Sequence, residues 1–161
     1  MVKSMYDEDF VFYHENSGEL KGHLDIQNYL HGGKGVVTLL SPSGKHHTYS
    51  FRYPLEQDKF PEGTMFVYSL MREHVWMYVG MLQSNGRFRR TQFSKFNEDS
   101  PIVKGAKFIS RMMREDFDHP MRLYHEGVCS ICGRRLTSPK SIRQGIGPKC
   151  LRYLLRDDNL L

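Results

Sequence analysis

The stretch Val36-Val37-Thr38-Leu39-Leu40-Ser41-Pro42-Ser43-Gly44-Lys45-His46-His47-Thr48-Tyr49-Ser50-Phe51-Arg52-Tyr53 reads as a β-hairpin. Its first run is β-branched and apolar, as a buried strand requires. Ser41-Pro42-Ser43-Gly44 supplies a proline and a glycine where a turn uses them. The second run alternates, which puts Tyr49, Phe51 and Tyr53 on one face of a strand. The same texture continues downstream. After a loop over 54–63, Met65 to Leu70 predicts a third strand and Val75 to Leu82 a fourth. Ser84-Asn85-Gly86 is a hairpin turn with the Asn-Gly signal, leading into a fifth strand from Arg87 to Phe96. Ser100-Pro101 then opens a helix, with serine as N-cap and proline at the first helical position. Ile102, Ala106, Ile109 and Met113 recur at helical spacing, and Phe108 and Met112 widen the stripe. That helix ends near Asp116 to His119, because Pro120 disfavours helix at the residue before it. Upstream, Lys21 to His31 predicts a short helix. The expected class is α+β: a mainly antiparallel sheet of about five strands with a covering helix over 1–118, and a small C-terminal module over 119–161.

All three cysteines of the 161-residue chain fall in that module. They form Cys129-Ser130-Ile131-Cys132-Gly133, followed after 17 intervening residues by Cys150 in Gly145-Ile146-Gly147-Pro148-Lys149-Cys150. A Cys-x2-Cys pair ending in glycine is the first half of a zinc knuckle, in which a tight turn converges two sulfurs on one ion. Cys150 brings the third thiolate from the first turn of a terminal helix. With no fourth cysteine, the fourth ligand falls to His125, with His119 second and Glu126 weaker, since structural sites favour nitrogen and sulfur. Four protein ligands would close the shell and make the Zn2+ structural rather than catalytic. A disulfide framework is disfavoured by the odd cysteine number. The N-terminus lacks the apolar core of a signal peptide, and no run approaches the ~18 apolar residues of a membrane span. A cytoplasmic protein with reduced, metal-binding cysteines is expected, with no membrane partner.

Charge is unevenly placed. Residues 1–118 hold 15 basic and 15 acidic side chains, whereas 119–161 hold 8 and 3. The net charge of +5 therefore belongs to the module. Arg134, Arg135, Lys140, Arg143 and Lys149 surround the cysteines in sequence and are the candidate phosphate contacts. Gly145-Ile146-Gly147-Pro148 precedes a helix, where backbone amides favour anions. A second, weaker candidate is Arg87-Phe88-Arg89-Arg90, whose basic and aromatic residues interleave.

The segment from Tyr124 to Cys150 resembles a small family of uncharacterised zinc modules found in phage, plasmid and bacterial proteins. The resemblance rests on His125-x3-Cys129-x2-Cys132-Gly133-Arg134, then Leu136-Thr137, Pro139, Ser141-Ile142, and Gly145-Ile146-Gly147-Pro148-x-Cys150. It implies a mobile-element origin, zinc, and His125 among the ligands. Residues 34–115 look like a domain that often precedes this module, through Thr38 to Gly44, Tyr49, Tyr78-Val79-Gly80 and Ser94-Lys95. The family has no agreed activity.

No nucleophile–base motif, nucleotide loop or carboxylate pair is visible, so an enzyme and a small-molecule substrate are not expected. The leading expectation is a phage or mobile-element zinc protein that binds nucleic acid with low sequence specificity. The alternative is a host-directed inhibitor, an anti-defence or anti-CRISPR-type factor, that captures a host nucleic-acid-processing protein by protein–protein contact.

Overall fold

The computed structural model describes residues 16–157. Seven antiparallel strands form one sheet: β1 (Gly18–Glu19), β2 (Lys34–Leu40), β3 (His46–Arg52), β4 (Met65–Arg72), β5 (Val75–Leu82), β6 (Phe88–Arg89) and β7 (Arg122–His125). Their order is β1-β7-β2-β3-β4-β5-β6. Four α-helices accompany them among the described residues: α1 (His23–Leu30), α2 (Pro101–Arg114), α3 (Pro139–Gln144) and α4 (Pro148–Asp157). Among the described residues no helix is long and apolar enough to cross a membrane.

The hairpin forms as expected, with Val37 opposite Tyr49 and Gly35 opposite Phe51. Tyr49 and Phe51 are fully buried, and Tyr53 packs at the margin of the same core. Helix α2 starts at the expected cap: the Ser100 hydroxyl accepts the Val103 N–H at 3.2 Å. Its buried stripe is Val103, Ala106, Ile109, Met112 and Met113, flanked by half-buried Ile102 and Phe108. Helices α1 and α2 cover one face of the sheet. The core lies between them and Val37, Leu39, Met65, Val67, Val79 and Leu123.

Two departures bear on the site. The sheet has seven strands rather than five, and the fifth expected strand shrinks from Arg87–Phe96 to Phe88–Arg89. After Arg89 the backbone finds partners other than a neighbouring strand. Arg90 donates to the carbonyls of Ser94, at 2.9 Å, and Phe96, while Ser94 N–H closes a turn on Thr91. The two unexpected strands are β1 and β7. Arg122–His125, which falls just after the expected boundary at 118, inserts between β1 and β2. It pairs Gly18 with His125 on one side and Val37 with His125 on the other.

Candidate metal centre

Strand β7 runs straight into the cysteine module. Gly127 turns the chain, Val128 and Arg135 form an isolated antiparallel bridge, and the Leu136 N–H donates to the Gly127 carbonyl at 2.8 Å. Between them lies the knuckle. Cys129 N–H donates to Arg134 O at 2.8 Å and Gly133 N–H to Cys129 O at 2.9 Å. Gly133 sits at φ +79°, the left-handed conformation a side chain resists, so the glycine after Cys132 is what lets the loop close. Ser138 then caps α3, its hydroxyl accepting the Ser141 N–H at 3.2 Å, with Pro139 next. Gly145 ends that helix at φ +70°, where an added Cβ would lie 2.5 Å from the Tyr29 ring. Helix α4 begins three residues later and carries Cys150 in its first turn.

The ligand atoms of Cys129, Cys132 and Cys150 all lie within 4.8 Å of one another. Three thiolates about 2.3 Å from a shared tetrahedral ion stand roughly 3.8 Å apart, so the donor set and its spacing fit a metal ion. Cys129 is buried, Cys150 half-buried and Cys132 exposed. Burial pushes the Cys129 thiol up, but hydrogen bonds from the backbone of Gly147, Cys132 and Ile131 and from the Cys132 thiol outweigh it, leaving the group below the ordinary thiol range. Cys150 moves the other way. Burial, hydrogen bonding with Cys132 and Cys129, and their charge push it up to about 12. Three sulfurs this close cannot all ionise without a cation among them.

The structure does not bring His125 to this cluster. Residues directly opposite in a sheet share a face, so His125 beside Val37 points under α1, where it is fully buried. Its ring stacks on Tyr29 with centroids 5.3 Å apart. Nδ1 accepts the Gly127 N–H at 3.1 Å, which leaves Nε2 to carry the proton and donate to the Ile142 carbonyl. Burial lowers its pKa, partly offset by that carbonyl, in keeping with a neutral ring. Glu126 is also fully buried, where it accepts from the Thr38 hydroxyl. His119 packs among Phe108 and Phe117.

The five candidate cations are all exposed, and none makes an ion pair among the described residues. Arg134, Arg135 and Lys149 line one cavity of about 500 Å3 together with all three cysteines. Lys140 and Arg143 lie on α3, outside that lining. The larger hollow of about 610 Å3, between His31, Tyr53 and the loop to Thr64, has no cysteine, Lys or Arg in its wall among the described residues. Thr137, Ser138 and Ser141 also face the cysteine cavity and are not among the site residues expected from the sequence. The Ser138-Pro139 pair repeats the helix-start signature of Ser100-Pro101, and could have marked that wall.

Residues 124–155 match a family of unknown function, DUF6011. The match runs from β7 through the knuckle and α3 into α4, and so contains every cysteine and all five candidate cations. No curated protein and no solved structure matches the chain.

Proposed function

We propose that this chain is a zinc protein whose C-terminal module binds nucleic acid through phosphate contacts, with little sequence specificity. The clustering of Arg134, Arg135 and Lys149 around the cysteine cavity, beside exposed Lys140 and Arg143, carries this reading. Exposed cations gathered on one small module are what a phosphate backbone attracts. Zinc is the ion that three thiolates at this spacing favour among common divalent metals without redox chemistry. In this reading it fastens the knuckle to α4 through Cys150 and takes no part in a reaction. The chain acts as a binding protein rather than an enzyme.

The test is fluorescence anisotropy with single- and double-stranded oligonucleotides across ionic strength. Affinity should fall linearly with salt on a log–log plot, with a slope near about −0.9 per duplex phosphate contacted. The triple variant Arg134→Glu, Arg135→Glu, Arg143→Glu should weaken binding at least about tenfold, through lost attraction and added repulsion. Unchanged binding would remove the patch from the interface.

One observation favours a second reading. Helix α4 leaves Tyr153 64% exposed, with Leu154 and Leu155 also open. An apolar helix face of this kind suits a protein partner, as in the host-directed inhibitor. Pull-down from lysate with and without nuclease separates the two. A single protein retained after nuclease and at high salt favours the inhibitor, and nucleic acid without a stoichiometric protein favours the first reading.

A further inference from the structure

The cysteines supply three of the four ligands that a tetrahedral ion takes. Among the described residues no histidine, aspartate or glutamate joins them, and both His125 ring nitrogens are engaged elsewhere. All three cysteines line the 500 Å3 cavity, and Cys132 is exposed. Its wall also carries Arg134, Arg135 and Lys149, the residues Thr137, Ser138 and Ser141, and no acidic residue among those described. Pro148, Lys149 and Cys150 place the first turn of the ten-residue α4 in the same wall. Pro148 has no N–H, so Lys149 and Cys150 supply the first-turn N–H groups, which have no partner within the helix and carry the positive end of its dipole.

We infer that the fourth coordination position of the bound ion opens into this cavity and is filled from outside the chain, by an oxygen of a phosphate monoester. The inference rests on the zinc and nucleic-acid reading above and sharpens it. Three thiolates and a divalent ion leave one net negative charge, and the three cations of the wall exceed it by two. A monoester carries about −1.5 to −2 at neutral pH, more than a backbone diester, so the site prefers a terminal phosphate over an internal one. The volume suits a nucleotide-sized group. A strand end and a free mononucleotide offer the same chemistry.

Cobalt(II) in place of zinc reports on this position, because its visible bands change with the ligand set. The full-length cobalt protein is titrated with inorganic phosphate, then with a nucleoside 5′-monophosphate, then with one oligonucleotide bearing a 5′-phosphate or a 5′-hydroxyl. Saturable shifts of the cobalt bands by phosphate are expected, and the 5′-phosphate oligonucleotide should bind at least about tenfold tighter than its hydroxyl counterpart. The tighter of mononucleotide and phosphorylated strand names the source. Arg134→Gln and Lys149→Gln, both on exposed side chains, should weaken phosphate binding at one cobalt per chain. Cobalt bands unmoved by every phosphate would overturn the inference, and salt-dependent binding of the hydroxyl oligonucleotide in that case would leave the broader reading standing. His14 lies outside the described residues, two positions before Asn16, whose amide donates to the carbonyl of the cavity residue Leu136 at 2.7 Å. Altered cobalt bands in His14→Ala without phosphate would put the fourth ligand on the chain and also overturn the inference.

Discussion

At the residue scale Cys129 and Cys150 differ in what they give up. Cys150, with its thiol near 12, holds its proton at neutral pH in the metal-free protein and must release it on loading. Metal affinity should therefore rise with pH, with log K gaining at least about one per pH unit between 6.5 and 8. Competition against a chromophoric chelator reads that slope directly, and a flat profile would mean that Cys150 is no ligand. Cys150→Ser should abolish tight loading while the circular dichroism of the sheet persists. His125 makes a separate statement about stability. Its folded pKa is lowered, so it stays neutral in the native state while the unfolded chain takes a proton near the ordinary value. Stability is then full above about pH 6.5, declines as pH falls below it, and levels out once the folded ring also titrates. His125→Gln, which keeps an amide donor for Ile142, should flatten that decline and lower stability by about 1–3 kcal/mol, yet retain the metal. Loss of metal from a folded His125→Gln protein would restore His125 to the ligand set.

At the scale of elements, what was legible followed from local chemistry. Helix α2 declared itself through Ser100-Pro101 and a stripe that needs no distant partner. The β2–β3 hairpin did so through its turn and alternation. Ser100→Ala should cost about 1 kcal/mol in urea denaturation by removing the cap of α2. The knuckle was legible for the same reason, since Cys129, Cys132 and Gly133 define it within five residues. Strand β7 was not. Arg122-Leu123-Tyr124-His125 is short and polar at both ends, and it is a strand because β1 and β2 flank it, the latter more than 80 residues upstream. The structure accordingly places His125 apart from the three sulfurs. Its spacing from Cys129 looks like a ligand's in one dimension, but the pleat of β7 turns it to the core. The shortened β6 is the converse case: Arg87 to Phe96 has strand composition, but Arg90 satisfies the backbone of its own loop.

The whole molecule does not hang its cysteine module from a tether. The knuckle is bonded to the sheet side at several points: Lys34 N–H to Ser130 O at 2.7 Å, Tyr29 hydroxyl to Val128 O at 2.8 Å, and Asn16 amide to Leu136 O. Tyr29 also supports His125 and abuts Gly145, so one α1 side chain touches β7, the knuckle and the end of α3. Tyr29→Phe should therefore lower stability by about 1 kcal/mol and weaken metal binding with it, since the ring packing stays while Val128 loses its donor. A chelator should in turn lower the thermal midpoint of the sheet, because β7 and the knuckle are one continuous segment. A midpoint indifferent to chelation would show the two parts to be energetically separate.

The insertion of β7 between β1 and β2 sets an order of events during synthesis. The ribosome delivers β2 through β6 and both covering helices while the flank of β2 still lacks its neighbour, and that flank is an open row of N–H and C=O groups. Only when Arg122–His125 emerges does the row close, and the next residues to appear are the knuckle and its first two cysteines. A nascent chain stalled before that point exposes an edge that invites pairing with other chains, so aggregation of products ending near residue 120, and its disappearance in products that end between His125 and Cys129, would mark the arrival of β7 as the step that seals the sheet.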